Sequence, residues 1–455
     1  MSIRIRLYNL VTRCTVCTLA PFLRHHPRFA ERFQERFGDW CLSRSDDYIW
    51  IHGASAGELS GLMRLVPWIR LRYPEHKILV TSFSLAGITM HRDKADLCRL
   101  LPFDSEKWIG KAIGDVSITL FLFGETEIWP LVLTKLASRG VPICMVNGRI
   151  ERKNLARYRL LLKIFPQLFS LLSQALVVSE AMKKHLLMLG MKEDQIQITG
   201  NTKYDHEPLC SDDLKDLMGV LDSLTEGKEK RVRLTLGSIH PGEESWWLPE
   251  LIRLKEKRLL QGKTSSSPLL ILVPRHLEKL EYFKEKLEAL SLSYLCSSDL
   301  QNLDLKAIDV LLVDEFGKLE KYYALSDFAF IGGTLVPVGG HNPFEPAPYK
   351  VPIGIGMHTS KIRSEVEALT RHDAFMSIHD RGAIEEILSA TIESSSELKA
   401  RAERLYSVWS EARGSLKRVE HALDDLLGFK GFADREEVAT SCDVLRGSNR
   451  HGAEG

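Results

Sequence analysis

An α/β fold of two tandem units, each built on a parallel sheet, is what this sequence predicts, and three observations predict it. From Tyr48 onward, short β-rich apolar runs alternate with longer helical patterns, the signature of strands buried on both faces of a parallel sheet. The alternation stops at a polar stretch, residues 205–230, and restarts at Arg231. The length, 455 residues, suits two or three domains at roughly 150 residues each.

The first series of strands is expected at residues 48–52, 77–82, 117–123, 141–146 and 175–179, each trailed by helix-like sequence. The second is expected at 231–236, 269–273, 310–313, 328–331 and 351–355. Two such units in tandem make a cleft between them, and ligands of open α/β sheets bind at the carboxyl ends of the strands. The expected division is a basic segment at 1–40, a first unit at 41–205, a linker at 206–230, a second unit at 231–430 and a disordered polar tail at 431–455.

Composition sets outer bounds. With 44% hydrophobic and 27% charged residues, a disordered, collagenous or disulfide-scaffold chain is excluded. Lys plus Arg number 61 against 60 Asp plus Glu, so no whole-surface field argues for nucleic acid. Eight scattered cysteines favour reduced thiols in a cytoplasmic setting. Cys14 and Cys17 stand as C-x-x-C, but no second pair or nearby His completes a zinc set.

The neutral total hides an asymmetry. Residues 1–40 hold seven Arg against Glu31, Glu35 and Asp39, a net +4 that leaves −3 for the rest. Within them, residues 7–23 are apolar but interrupted by Asn9, Arg13 and three Thr. That is too short and too polar for a membrane span of ~20 apolar residues. It reads as an interfacial anchor at an anionic leaflet, with a surface helix of a soluble domain as the plain alternative. Pro21-Phe22-Leu23-Arg24 is not a small-residue signal-peptide cleavage site.

Candidate chemistry sits just after strands. His52-Gly-Ala-Ser-Ala-Gly-Glu58 leads into a helix, which makes Glu58 either a base facing the cleft or a capping acid. Phe123-Gly-Glu-Thr-Glu-Ile-Trp-Pro130 offers Glu125 and Glu127 at the end of an apolar strand, where a buried carboxylate needs a partner. Asn147-Gly-Arg149 and Gly200-Asn-Thr-Lys203 bring an Arg and a Lys to the same rim, a set that suits an anionic substrate or plain ion pairing.

The second half reads as a nucleotide site. Strands run into Gly237-Ser-Ile-His240 and Val273-Pro-Arg-His276, and a long block comes after them at 332–346: Gly-Gly-Thr-Leu-Val-Pro-Val-Gly-Gly-His-Asn-Pro-Phe-Glu-Pro. Its two Gly-Gly pairs, ahead of an expected helix, would present backbone N–H groups to a phosphate. Arg275 would pair with phosphate or stack on a base, and Glu345 would accept from a ribose hydroxyl. The chain contains no Asp-x-Asp, the usual carboxylate pair for a metal-bound nucleotide diphosphate.

These blocks, in this order between about residues 30 and 370, resemble the Kdo transferases of lipopolysaccharide assembly, inverting glycosyltransferases of the GT-B type. The resemblance implies two Rossmann-like domains facing across a cleft, the first for the acceptor and the second for CMP-Kdo. It implies Glu58 as the general base, with Glu125 and Lys203 stabilising the transition state. It places CMP contacts at Pro274 and Arg275, at Phe316, Gly317 and Lys318, and at Asn342, Pro343, Phe344 and Glu345. No metal and no cofactor are implied. The implied acceptor is a lipid A precursor, lipid IVA, with the number of Kdo additions left open. The implied location is the cytoplasmic side of the inner membrane, through the N-terminal segment.

Departures from the family pattern are Ile150-Glu-Arg-Lys-Asn154, where many members carry serines, and Met357, where Pro is usual. The alternatives are a GT-B enzyme using another nucleotide sugar, as a UDP-sugar transferase or epimerase, and a scaffold that kept the fold without activity.

Overall fold

The central strands are buried almost end to end, and this dictates the layering around them. A computed structural model describes residues 3–205, 207–224, 231–260, 268–300 and 308–429. The described residues divide into a unit formed by those within 3–205 and 413–429 and a unit formed by those within 207–412.

The first unit contains β1 (Asp47–His52), β2 (Lys77–Ser82), β3 (Leu97–Leu100), β4 (Ser117–Gly124), β5 (Ile143–Gly148), β6 (Gln174–Val177) and β7 (Ile196–Ile198). They form one sheet in the order β3-β2-β1-β4-β5-β6-β7, with every pairing parallel. Alternate residues of a strand serve opposite faces. Trp50, Phe121, Phe123 and Met145 enter one core layer, while Ile49, Ile51, Leu122 and Val146 enter the other. The chain leaves β1 for β2 on one side and returns through β4 on the other. That reversal opens a crevice beyond the carboxyl ends of β1 and β4, where open α/β sheets take their ligands.

The second unit repeats the plan. Its strands are β8 (Arg233–Ile239), β9 (Leu269–Pro274), β10 (Tyr294–Cys296), β11 (Val310–Leu312), β12 (Phe328–Ile331), β13 (Ile353–Ile355) and β14 (Met376–Ser377). Their order is β10-β11-β9-β8-β12-β13-β14, again all parallel. Here the reversal lies between β8 and β12. Gly332, just past β12, packs so tightly on the backbone carbonyls of Gly237 and Ser238 that a Cβ would collide with them. Glycine is therefore required where the two strand ends meet.

Three expectations about organisation change. The N-terminal helix, Ile3–Leu23, belongs to the first unit, so the expected 1–40 segment is not a separate piece. Tyr8 donates to the buried carboxylate of Asp104 at 3.0 Å, and Asp104 also accepts from the amides of Leu131 and Val132 at the start of the helix Pro130–Ala137. Burial raises the Asp104 pKa to about 6. The expected linker contains a helix, Ser211–Ser223, that belongs to the second unit.

The expected second unit also ends too late, because the helix Ser415–Leu427 belongs to the first. Val419, Ala422 and Leu423 fill a core layer of the first unit, and Asp424 binds Arg72 at 2.8 and 2.6 Å and Trp68 Nε1 at 3.0 Å. The expected tail, residues 431–455, lies outside the described residues. Asp424→Ala is expected to lower stability by about 2 kcal/mol, the loss of charge-assisted hydrogen bonds to Arg72; urea unfolding of the purified protein measures it.

Candidate active site

In the first unit the reversal between β1 and β4 gathers carboxylates. Ser55 caps the helix Ala56–Leu62, its side chain accepting from the amide of Glu58. The Glu58 carboxylate reaches back to accept from the Ala54 amide at 2.9 Å and from the Ser55 hydroxyl at 3.2 Å. The capping geometry is thus real, and it also fixes the carboxylate over the end of β1. Burial first, then the negative charges of Glu125 and Glu127, raise the Glu58 pKa to about 7. Lys203 and the Ala54 amide act in the opposite direction.

Glu125 and Glu127 leave β4 in an uncommon geometry. Glu125 has φ +52, a left-handed conformation that costs a non-glycine residue energy and is found at functional turns. Its carboxylate pairs with Lys203 Nζ at 2.6 Å. Glu127 accepts from Trp129 Nε1 at 2.9 Å and lies 3.5 Å from Nε2 of His52. His52 is buried, with Nδ1 at 2.9 Å from the Thr81 hydroxyl.

Lys203 owes its position to a neighbouring pair of loops. Asn147, also left-handed at φ +54, donates from Nδ2 to the Thr202 hydroxyl and accepts from the Thr202 amide, both at 2.9 Å. The Thr202 hydroxyl donates to the Gly61 carbonyl at 2.9 Å, tying the lysine turn to the helix that carries Glu58. The structure therefore brings Glu58, Glu125 and Lys203 together. His52 and the Asn147–Thr202 clamp were not singled out as positioning groups from sequence, although each lies in one of the motifs after a strand.

In the second unit, Pro274 is buried at the end of β9 and Arg275 is exposed beyond it; the Arg275 side chain has no carboxylate partner among the described residues. The next residue, His276, lies edge-on to His240, and the His240 and His341 rings lie in parallel planes, end to end through their Nε2 atoms. Phe316, Gly317 and Lys318 come after β11. Phe316 is 54% exposed, Gly317 has φ +77, and Lys318 lies 3.6 Å from Glu315 on the same loop. Asn342 accepts from the Phe344 amide at 3.1 Å, Pro343 and Phe344 are buried, and Glu345 is half-buried.

The glycine-rich block departs from expectation. Its first amides are already occupied, because the buried carboxylate of Glu243 accepts from Gly333, Thr334 and Leu335 at 2.8–3.0 Å and from His240 at 2.9 Å. Burial pushes the Glu243 pKa up and these four amides oppose it. Gly339 and Gly340 donate to the Gly333 carbonyl at 3.0 and 2.8 Å. The block then runs into a three-residue turn, Ala347–Tyr349, rather than a helix with free amides. It is a rigid frame built around an internal anion, and it leaves anion binding to the side chains around it.

Comparison with known proteins gives the family. Residues 31–206 match the family model described as 3-deoxy-D-manno-octulosonic-acid transferase (kdotransferase). The chain is 31% identical over 402 residues to the 3-deoxy-D-manno-octulosonic acid transferase of Haemophilus influenzae, covering 86% of this chain and 91% of that protein. The chain belongs to the Kdo transferase family. Membership makes it a glycosyltransferase of lipopolysaccharide biosynthesis. The Kdo transferase of Chlamydia trachomatis serovar A is 27% identical over 385 residues, covering 82% of this chain and 86% of the relative. Among solved structures, UDP-GlcNAc 2-epimerase from Neisseria meningitidis superposes with a TM-score of 0.54 at 16% identity, covering 83% of this chain and 99% of the epimerase; that likeness concerns the fold.

Asn147→Ala removes both bonds to Thr202. It is expected to cost about 1–3 kcal/mol, the range for leaving buried polar groups unsatisfied, and thermal melts of the two proteins measure it.

Proposed function

We propose that this Kdo transferase moves Kdo from CMP-Kdo to a lipid A precursor, lipid IVA, with inversion at the anomeric carbon. The observation that carries the reading is Glu58, a carboxylate with a pKa of about 7 beside the Glu125–Lys203 pair. A base whose pKa lies near neutrality takes a proton most effectively at working pH. Inversion needs one in-line displacement, so one carboxylate suffices to deprotonate the acceptor hydroxyl. Lys203, held by Glu125, supplies a fixed positive charge for the anionic reacting sugar, and a charge already in place costs no reorganisation during the reaction. In the second unit, Arg275 is assigned to the donor phosphate. Pro274, the 316–318 loop and the 342–345 segment are assigned to the rest of CMP.

The membrane reading rests on the N-terminal helix. Its inner side is taken up by Tyr8 and Ile5 against the first unit. Ile3, Leu7, Leu10, Val11 and Phe22 are exposed, and their spacing places them in one stripe. No described helix is long and apolar enough to cross a membrane. An apolar stripe flanked by Arg4, Arg6 and Arg13 suits a helix lying in an anionic interface, which we assign to the cytoplasmic side of the inner membrane.

Incubation with CMP-Kdo and lipid IVA, read by mass spectrometry of the lipid, tests the reaction and counts the sugars added. Tighter binding of UDP or GDP than CMP would overturn the donor assignment. Glu58→Gln is expected to lower kcat by roughly 10²–10⁴-fold, and wild-type kcat should rise with pH through about 7, where Glu58 loses its proton.

The same shift has a stability consequence. The folded-state pKa lies above the ordinary value of 4.5, so the native state retains a proton that the unfolded chain has lost. Stability from this group therefore falls as pH rises between those two values. Glu58→Gln is expected to melt higher than wild type at pH 8, with the difference shrinking at pH 5. For the membrane contact, Leu7→Asp with Leu10→Asp should abolish co-sedimentation with vesicles containing anionic lipid, while wild type sediments with them and much less with zwitterionic ones.

A further inference from the structure

Three histidines, an arginine and a lysine meet beyond the carboxyl ends of β8 and β9 and the loop after β12. His240 Nε2 and His341 Nε2 are 2.9 Å apart, with the rings within 3° of parallel. At that separation one nitrogen must present N–H and the other its lone pair, since two protons would clash and two lone pairs would repel. The two rings are therefore one hydrogen-bonded unit whose next proton belongs to the pair.

Arg275 and Lys361 bring positive charge toward this unit. Arg275 and His276 approach from the end of β9, and Lys361 from the loop before the helix Arg363–Arg371. His276 Nδ1 has Glu278 at 3.5 Å. Glu243 meets His240 only through the backbone amide, and its two oxygens are engaged by four amides. Burial and the surrounding cations hold His240 down to about 4 and His341 to about 3. With no anion bound, the pair is uncharged at neutral pH.

We infer that the His240–His341 pair is a proton-accepting receptor for the leaving phosphate of the donor. The inference rests on the CMP-sugar reading of the second unit and deepens it. When the sugar–oxygen bond breaks, its electron pair stays on the phosphate oxygen. The phosphodiester monoanion becomes a monoester dianion, and the proton of the acceptor hydroxyl goes to Glu58. The extra negative charge falls among Arg275, His276 and Lys361 and reverses the local field. The imidazole pair then takes one proton from solvent, and the resulting imidazolium donates a hydrogen bond to the phosphate. Charge created by bond breaking is thereby matched by charge taken up by the protein, which favours departure of the leaving group.

Calorimetric titration of the full-length protein with CMP at pH 7.5, in two buffers of different ionisation enthalpy, measures proton uptake directly. CMP is already a dianion there, its second ionisation lying near 6, so uptake belongs to the protein. Net proton uptake on CMP binding is expected, and none with cytidine, which lacks the phosphate. His240→Gln and His341→Gln should each still bind CMP, several-fold more weakly, with uptake cut to less than half. CMP binding without buffer dependence in wild type would overturn the inference while leaving the donor reading intact. Undiminished uptake in both variants would also overturn it. Failure of wild type to bind CMP at all would remove the donor reading, and this inference with it.

Discussion

A parallel sheet covered on both faces leaves little room for charge along its strands, and both candidate sites depend on that constraint. β1 beyond Asp47 and all of β5 and β9 are buried, so polar chemistry is displaced to the loops beyond the strand ends. The topology then selects among those loops. Where the chain reverses direction across the sheet, neighbouring loops diverge and leave a crevice. Glu58, Glu125 and Glu127 stand at the reversal in the first unit, and His240 and His341 at the reversal in the second.

Both crevices hold groups that would be more comfortable elsewhere. In the first, burial and the charges of Glu125 and Glu127 outweigh Lys203, and Glu58 holds its proton to near neutrality. In the second, two imidazoles among cations do the reverse and give up theirs. Such opposed displacement is characteristic of sites that move protons. It persists because the frame is strongly determined: Asn147 and Thr202 hold one loop, and Glu243 gathers the glycine-rich block around a buried carboxylate. Left-handed backbone at Glu125, at Asn147 within β5 and at Ser238 within β8 is tolerated for the same reason, since the neighbouring backbone is held by bonds on either side.

How far the fold is legible in the sequence depends on burial. All ten expected strands exist within a few residues, because interior strands are continuous apolar runs. The four that went unseen, β3, β7, β10 and β14, are the four sheet edges. Edge strands are short and half-exposed, and three-residue elements such as Ile196–Ile198 and Tyr294–Cys296 carry no periodicity that separates them from loops. The C-terminal helix was assigned to the wrong unit for a related reason. Its apolar face is plain in the sequence, but an amphipathic pattern says that a face is buried without saying against what.

The site divides along the same line. Residue types and their places after strands were legible, because glycines and acids that come after an apolar run have few other uses, and the ordered blocks identified the family. By itself the sequence determined two α/β units, the loops in which acids and glycines gather after strands, and the family membership. Only the tertiary structure decided which charges face one another. It made Glu58 both a cap and a carboxylate of pKa about 7, turned the amides of Gly333, Thr334 and Leu335 inward onto Glu243, and set His240 against His341 across 101 residues of chain. Pair energies and proton affinities depend on distance and burial, and residues far apart along the chain acquire both only when the sheet brings their loops together.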